Sequence, residues 1–394
     1  MSNKDTVRSE RQMSAWERNL IGTRVEEIPL LLPGLLLAAV LAWLSIELCE
    51  YVGVTLMGFE KTPLSSVTVV ILFGLVLGNL LPLPVWLRPG VTFAVKKVLR
   101  LGIILLGIRL SVFDVFRLGA MGVPIVLLCI CSALLFTTLL NRWLRLPERL
   151  GTLIAIGTSI CGVSAIVAGA PAIDAKDEEV SYAVAVITIF GILATLFYPY
   201  AAYEMFGGDP VKAGLFLGTS VHDTAQVAGA ALVFSGVYAL PRGLDVATIT
   251  KMVRNVFMVL VIPLMTVYYR RRAMAKGEIR GERTNVFKLL PLFVVGFLAL
   301  AVTRSIGDAG VRAEGNAFGL WDSVTWNGIQ GAIKHWATNL LVVALAGVGL
   351  STRLRMLKGL GVKPFVVGLG AALVVGLVSF VTISLLGRFV TYWP

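Results

Sequence analysis

The sequence predicts an all-α polytopic membrane protein with about 11 membrane segments, two of them broken or re-entrant, and three observations carry that expectation. Of 394 residues, 57% are hydrophobic and only 15% charged, with a mean hydropathy of +0.85, so polar side chains are too few to cover a soluble globule of this size. Apolar runs recur at close to the ~20 residues that a helix needs to cross hydrocarbon. Two of those runs carry the same small-polar interruption sixty-one residues apart, Gly157-Thr158-Ser159-Ile160-Cys161-Gly162 and Gly218-Thr219-Ser220-Val221-His222-Asp223.

Taken in order, runs with few or no charges cover Ile28–Ile46, Ser66–Leu87, Leu118–Leu140, Leu150–Ile173, Val180–Ala202, Ala213–Leu240, Asn255–Tyr269, Leu289–Val302, Trp336–Leu350 and Pro364–Leu386. An eleventh candidate, between Val91 and Phe113, is interrupted by Lys96, Lys97, Arg100 and Arg109. Residues 1–27 mix arginine and glutamate and show no short apolar core followed by a cleavage site, which reads as a cytoplasmic lead-in. The rest, 28–390, reads as one transmembrane domain, because no polar stretch is long enough for a soluble one.

The net charge of +12 sits in loops between spans, so the positive-inside rule accounts for it and nucleic acid is not an expected partner. Alternating basic and base-poor loops puts the N-terminus in the cytoplasm and the C-terminus on the far side of the membrane. Eleven crossings satisfy this parity, and so do nine crossings plus two re-entrant hairpins at 151–173 and 213–235. Cys49, Cys129, Cys131 and Cys161 lack metal-ligand spacing and read as packing residues. No metal and no cofactor is expected.

The interruptions matter because a glycine loosens a helix and frees backbone groups, which threonine and serine hydroxyls can re-satisfy or leave for a solute. Their tails also match, Ala165-Ile166-Val167-Ala168-Gly169-Ala170 against Ala225-Gln226-Val227-Ala228-Gly229-Ala230. A second repeat relates Gly107, Leu110, Ser111, Gly119 and Pro124 to Gly347, Leu350, Ser351, Gly359 and Pro364. An odd number of segments separates those units, which is the signature of inverted repeats. Small-residue spacing from close helix packing offers a simpler account.

An anion site would combine half-helix N-termini, the hydroxyls of Thr158, Ser159, Thr219 and Ser220, and one arginine, for which Arg254 is the candidate. Arg254 could instead snorkel to an interface. Cys161, Gly162, His222 and Gln226 belong to the same candidate site. Asp223, set among small apolar residues beside His222, is a candidate for a coupling proton, or for a cation held with Gln226 and Asn255; otherwise it braces two broken helices. Catalysis is not expected. Two histidines 113 residues apart (222 and 335) exclude a His-Glu-x-x-His site, and the consecutive positions of Ser220, His222 and Asp223 prevent a relay among themselves.

At Leu99-Arg100-Leu101-Gly102-Ile103-Ile104-Leu105-Leu106-Gly107-Ile108-Arg109-Leu110, at both interruptions, at Ala185-Val186-Ile187-Thr188-Ile189-Phe190-Gly191, at Thr224-Ala225-Gln226-Val227 and at Lys251-Met252-Val253-Arg254, the chain resembles the YeiH-type family of bacterial inner-membrane sulfate exporters. The resemblance runs from about residue 30 to 390. It implies a secondary carrier for sulfate or a related small anion, with Ser159, Cys161, Gly162, His222, Gln226, Lys251 and Arg254 in matching motif positions. Asp223 stands where the family also accepts glutamate.

Two readings follow: export of a small oxyanion or sulfonate by alternating access, or proton- or sodium-coupled uptake of a small organic or sulfonated anion. A channel is a third class, and a homo-oligomer is compatible with each. A dianion leaving a cell that is negative inside gains roughly 4.6 kcal/mol per 100 mV, from about 2.3 per charge, so export needs no coupling ion and uptake does.

Overall fold

The computed structural model describes residues 25–56, 65–81, 83–275, 292–352 and 362–390. Residues 1–24, 57–64, 82, 276–291, 353–361 and 391–394 lie outside the described residues. The chain is built almost entirely of helices: α1 (Ile28–Glu50), α2 (Ser66–Leu80), α3 (88–106), α4 (Val112–Trp143), α5 (Glu148–Ser159), α6 (Val163–Gly169), α7 (Asp177–Met205), α8 (Pro210–Ser220), α9 (Thr224–Val237), α10 (Pro241–Val256), α11 (Met258–Ala275), α12 (Leu292–Glu314), α13 (Ser323–Ser351) and α14 (Val362–Leu386). One departure from an all-α fold is a two-residue antiparallel pair, β1 (Asn316–Ala317) with β2 (Trp321–Asp322), between α12 and α13.

Local chemistry explains where these helices begin. Ser111 opens α4 with a capping box, its Oγ accepting from the Asp114 backbone N–H at 3.1 Å. Asp209 opens α8 by accepting from the N–H groups of Val211 and Lys212, with Pro210 in the first turn. In α3, the run interrupted by Lys96 and Lys97, the chain stays helical but widens into a π turn at Ala94–Val98.

The segment count differs from expectation. Among the described residues six helices are long and apolar enough to cross a membrane, or seven if α10 and the following helix, bent by 43°, act as one span. The shortfall against eleven has a physical source. Breaks divide the runs at 150–173 and 213–240 into halves too short to qualify alone, and α2 and the charged α3 are also short. Apolar side chains such as Leu36, Trp43, Leu135, Phe197 and Leu373 stand exposed on the outer faces of their helices. That is the surface of a protein solvated by lipid, and a multi-pass membrane location fits it.

Packing places the two broken helices at the centre. Helix α8 lies along α10, α9 packs between α7 and α10, and α5 sits between α4 and α7. Backbones approach closely where glycines meet, as at Gly34 of α1 and Gly90 of α3, where a Cβ on either would strike the other helix's backbone. The outer helix α13 closes the other side against α2 and α3.

Candidate functional site

The two Gly-Thr-Ser motifs end helices. Thr158 and Ser159 are the last residues of α5, and Thr219 and Ser220 the last of α8. Three residues separate α5 from α6, with Gly162 at φ 64° and ψ −123°, a conformation that glycine alone adopts without strain. The second break runs through Val221 (φ −79°, ψ 133°) to Asp223 (φ −91°, ψ 149°), both extended. Four half-helix ends therefore meet in the protein interior, two presenting free carbonyls and two presenting free N–H groups.

The carbonyl ends are capped by cations from α10. Arg254, fully buried, donates from Nε to Ser159 O at 2.8 Å, from Nη2 to Thr158 O at 2.5 Å, and from Nη1 to Thr219 O at 2.6 Å and Val221 O at 3.4 Å. One guanidinium thus ties the two motifs face to face. Lys251, three residues earlier on the same helix and also fully buried, donates to Ile160 O at 3.0 Å, Val221 O at 3.1 Å and His222 O. Carbonyls at a buried helix C-terminus carry the negative pole of the helix dipole and lack partners, so positive donors belong there.

The amide ends meet at a carboxylate. Asp223 caps α9, accepting from Ala225 N–H at 2.9 Å, while its own N–H donates to Gln226 Oε1 at 3.3 Å, completing a capping box. The same carboxylate lies beside Gly162, the residue that precedes α6, with Oδ2 3.2 Å and the Asp223 Cβ 3.1 Å from where a Cβ on that glycine would stand. Gln226 reaches on to Thr188 O of α7 at 3.0 Å and fills the space over Gly191, where any Cβ would collide with its amide.

This geometry revises the expected division of roles. The four hydroxyls return to their own helices: Thr158 to Ile154 O, Ser159 to Ile156 O, Thr219 to Leu215 O and Ser220 to Phe216 O, at 2.8, 3.1, 2.7 and 2.5 Å. All four residues are fully buried. They sit at carbonyl ends, not amide ends, which sets them beside the two cations of α10. Arg254 does not snorkel; it is buried and its charge is directed at backbone oxygen. Cys161 packs its Sγ 3.7 Å from Met258 Sδ. Among the described residues the ring nitrogens of buried His222 have no hydrogen-bond partner, and neither has Asn255 Oδ1, although Asn255 Nδ2 donates to Thr224 Oγ1 at 3.3 Å.

Beside the crossing lies a cavity of about 500 Å³. Asp223, Thr224 and Gln226 form part of its wall, and across it stand Lys96 and Arg100 of α3 and Ser351 at the end of α13. Lys96 and Arg100 are exposed and have no ion-pair partner among the described residues. Much of the remaining wall is apolar, including Leu99, Val167, Ile189 and Phe293. His335 and Asn339 pair with each other at 2.9 Å on an exposed face of α13, away from this wall.

The family model described as Conserved hypothetical protein 698 matches residues 33–368. The UPF0324 membrane protein of Corynebacterium glutamicum is 32% identical over 331 residues, covering 83% of this chain and 86% of that protein. The chain belongs to the UPF0324 membrane protein family. A Streptococcus pyogenes member is 32% identical over 365 residues, covering 90% of this chain and 94% of its own. A Fusobacterium nucleatum member is 29% identical over 324 residues, 81% and 90% respectively.

In this UPF0324 chain the matched segment contains every residue of the crossing and of the cavity wall. Sequence reasoning passed over Ser164, Thr188, Ser351 and Thr352 of that wall. Signals for two of them were present: Thr188 lies in the motif that ends at Gly191, and Ser351 in the repeat that pairs it with Ser111. Lys96 entered only as an interruption of a membrane segment, whereas Arg100 also stands in the motif that carries the family resemblance.

Proposed function

We propose that this chain is a secondary carrier for a small anion, an oxyanion or sulfonate, exported by alternating access around the crossing of the two broken helices. The observation that carries the reading is the cavity, where two exposed cations, Lys96 and Arg100, face polar groups of the crossing across largely apolar walls. Broken helices that meet inside a membrane protein beside a polar-edged cavity are the usual construction of a secondary carrier's binding site. The apolar wall favours a sulfonate or similar anion with a short apolar body over bare sulfate, whose full hydration shell those walls could not replace. The charged side chains of the crossing, Arg254, Lys251 and Asp223, are engaged at helix ends, which favours a binding or transport role over a chemical step.

A second reading, proton-coupled uptake, is favoured by one observation: Asp223 lies on the cavity wall as well as on the helix ends. Its protonation would remove a negative charge from the path of an entering anion. Labelled sulfate flux in proteoliposomes, with competition by sulfite, phosphate, short sulfonates and carboxylates, tests both. Sulfonates competing most strongly, and about tenfold weaker binding in Arg100→Gln, for a loss of about 1.4 kcal/mol, are the expected results. No flux of any of these anions would remove the carrier reading. An unchanged pH profile in Asp223→Asn would remove the coupled one.

A further inference from the structure

Lys251 has an unusual setting for a membrane lysine. Its ammonium is fully buried and its three donors meet three backbone oxygens, Ile160 O at 3.0 Å, Val221 O at 3.1 Å and His222 O, all drawn from the two helix breaks and none from a carboxylate. An ammonium has three N–H donors, so the number of oxygens matches the number of protons. Unwound carbonyls at half-helix C-termini are also the groups with which secondary carriers coordinate sodium, because they concentrate the negative pole of the dipole on a small volume.

We propose that these three carbonyls form a monovalent-cation cage and that the Lys251 side chain is its permanent, tethered occupant. With the cage filled from within, the carrier holds no free sodium or potassium at the crossing. The cation reaches the cage along a four-carbon stem that starts on α10, so removing the stem while keeping the carbonyls leaves a vacancy shaped for an ammonium-sized ion. The Arg254 site beside it differs, since a planar guanidinium spread over four oxygens has no small-ion equivalent. This inference stands on the cage geometry and not on the transport reading, and its readout is stability.

The test uses purified full-length protein in detergent, with thermal unfolding followed at matched ionic strength in choline, sodium, potassium, ammonium and methylammonium chloride. The wild-type Tm is expected to be the same in all five salts. Lys251→Ala is expected to melt lower in choline and to recover most of the lost Tm, saturably, in ammonium or methylammonium, as binding to the folded state requires. Lys251→Met fills the stem's path without restoring charge, and no recovery is expected. The proposal is overturned if no cation restores Lys251→Ala, if Lys251→Met recovers as much, or if sodium or potassium saturably stabilises the wild type. Should Lys251→Ala fail to accumulate, the wild-type arm still decides, because a cation-independent Tm supports a filled cage and saturable stabilisation refutes it.

Discussion

At the first helix break the chain turns on Gly162 at φ 64°, and α6 begins without a side-chain cap of its own. At the second, sixty-one residues on, Asp223 occupies the equivalent position in extended backbone and caps α9 with its carboxylate. The two equivalent residues lie against each other, which sets the one carboxylate beside the start of α6. So the repeated motif preserves the position of the break in both copies but not its backbone conformation, and the carboxylate stands in one copy only. At the carbonyl ends Lys251 and Arg254, both from α10, reach oxygens of each break. A glycine in the first copy is what leaves room for the second copy's side chain.

The largest effect should come from the group that joins the breaks. Arg254→Gln deprives Thr158, Ser159 and Thr219 of their donor in a buried setting, where each unsatisfied polar group costs about 1–3 kcal/mol. A loss of about 3 kcal/mol or more is expected, seen as a large drop in folded yield and Tm. A variant that keeps its Tm would mean that the breaks hold together without the clamp.

Gly162→Ala should come next. It combines a φ of 64° with a Cβ pressed 3.1 Å from that of Asp223, for which about 1–3 kcal/mol is a reasonable cost. Because Asp223 must shift to admit the methyl group, the double variant Gly162→Ala/Asp223→Ala should lose less than the sum of the single losses, measured as a thermodynamic cycle. Strict additivity would show that the contact between the two copies is incidental.

Asp223→Ala alone removes the cap of α9, an expected loss of about 1–2 kcal/mol. Asp223→Asn keeps an oxygen for Ala225 N–H and should lose less than Asp223→Ala, mainly through a weaker dipole interaction of about 0.3–1 kcal/mol. Comparing their melting temperatures separates the cap from the charge. Equal losses would assign the whole effect to charge.

Much of this molecule follows from its sequence alone. Hydropathy and the charge in the loops determine a helical membrane protein, since long runs without polar side chains leave hydrocarbon as their only favourable surroundings. The duplicated Gly-Thr-Ser motif marks both breaks to within a residue, because loss of side-chain bulk and helix propensity is local and needs no partner. Arg254, Asp223 and Gln226 stand out as polar groups in apolar runs for the same reason.

What those groups face was decided by tertiary structure. Whether a threonine or serine at a break lies at a carbonyl end or an amide end depends on where each half-helix stops. Thr158, Ser159, Thr219 and Ser220, expected beside half-helix N-termini, stand at two C-termini capped by cations. The meeting of Gly162 with Asp223, and of Lys251 with carbonyls ninety-one and thirty residues away, arises only when two breaks and α10 pack together. The cavity wall is likewise assembled from α3, α6, α7, α9, α12 and α13. Composition and periodicity report what each residue does for its own helix, whereas a binding surface is made by neighbours distant in the chain, and their approach is set by packing.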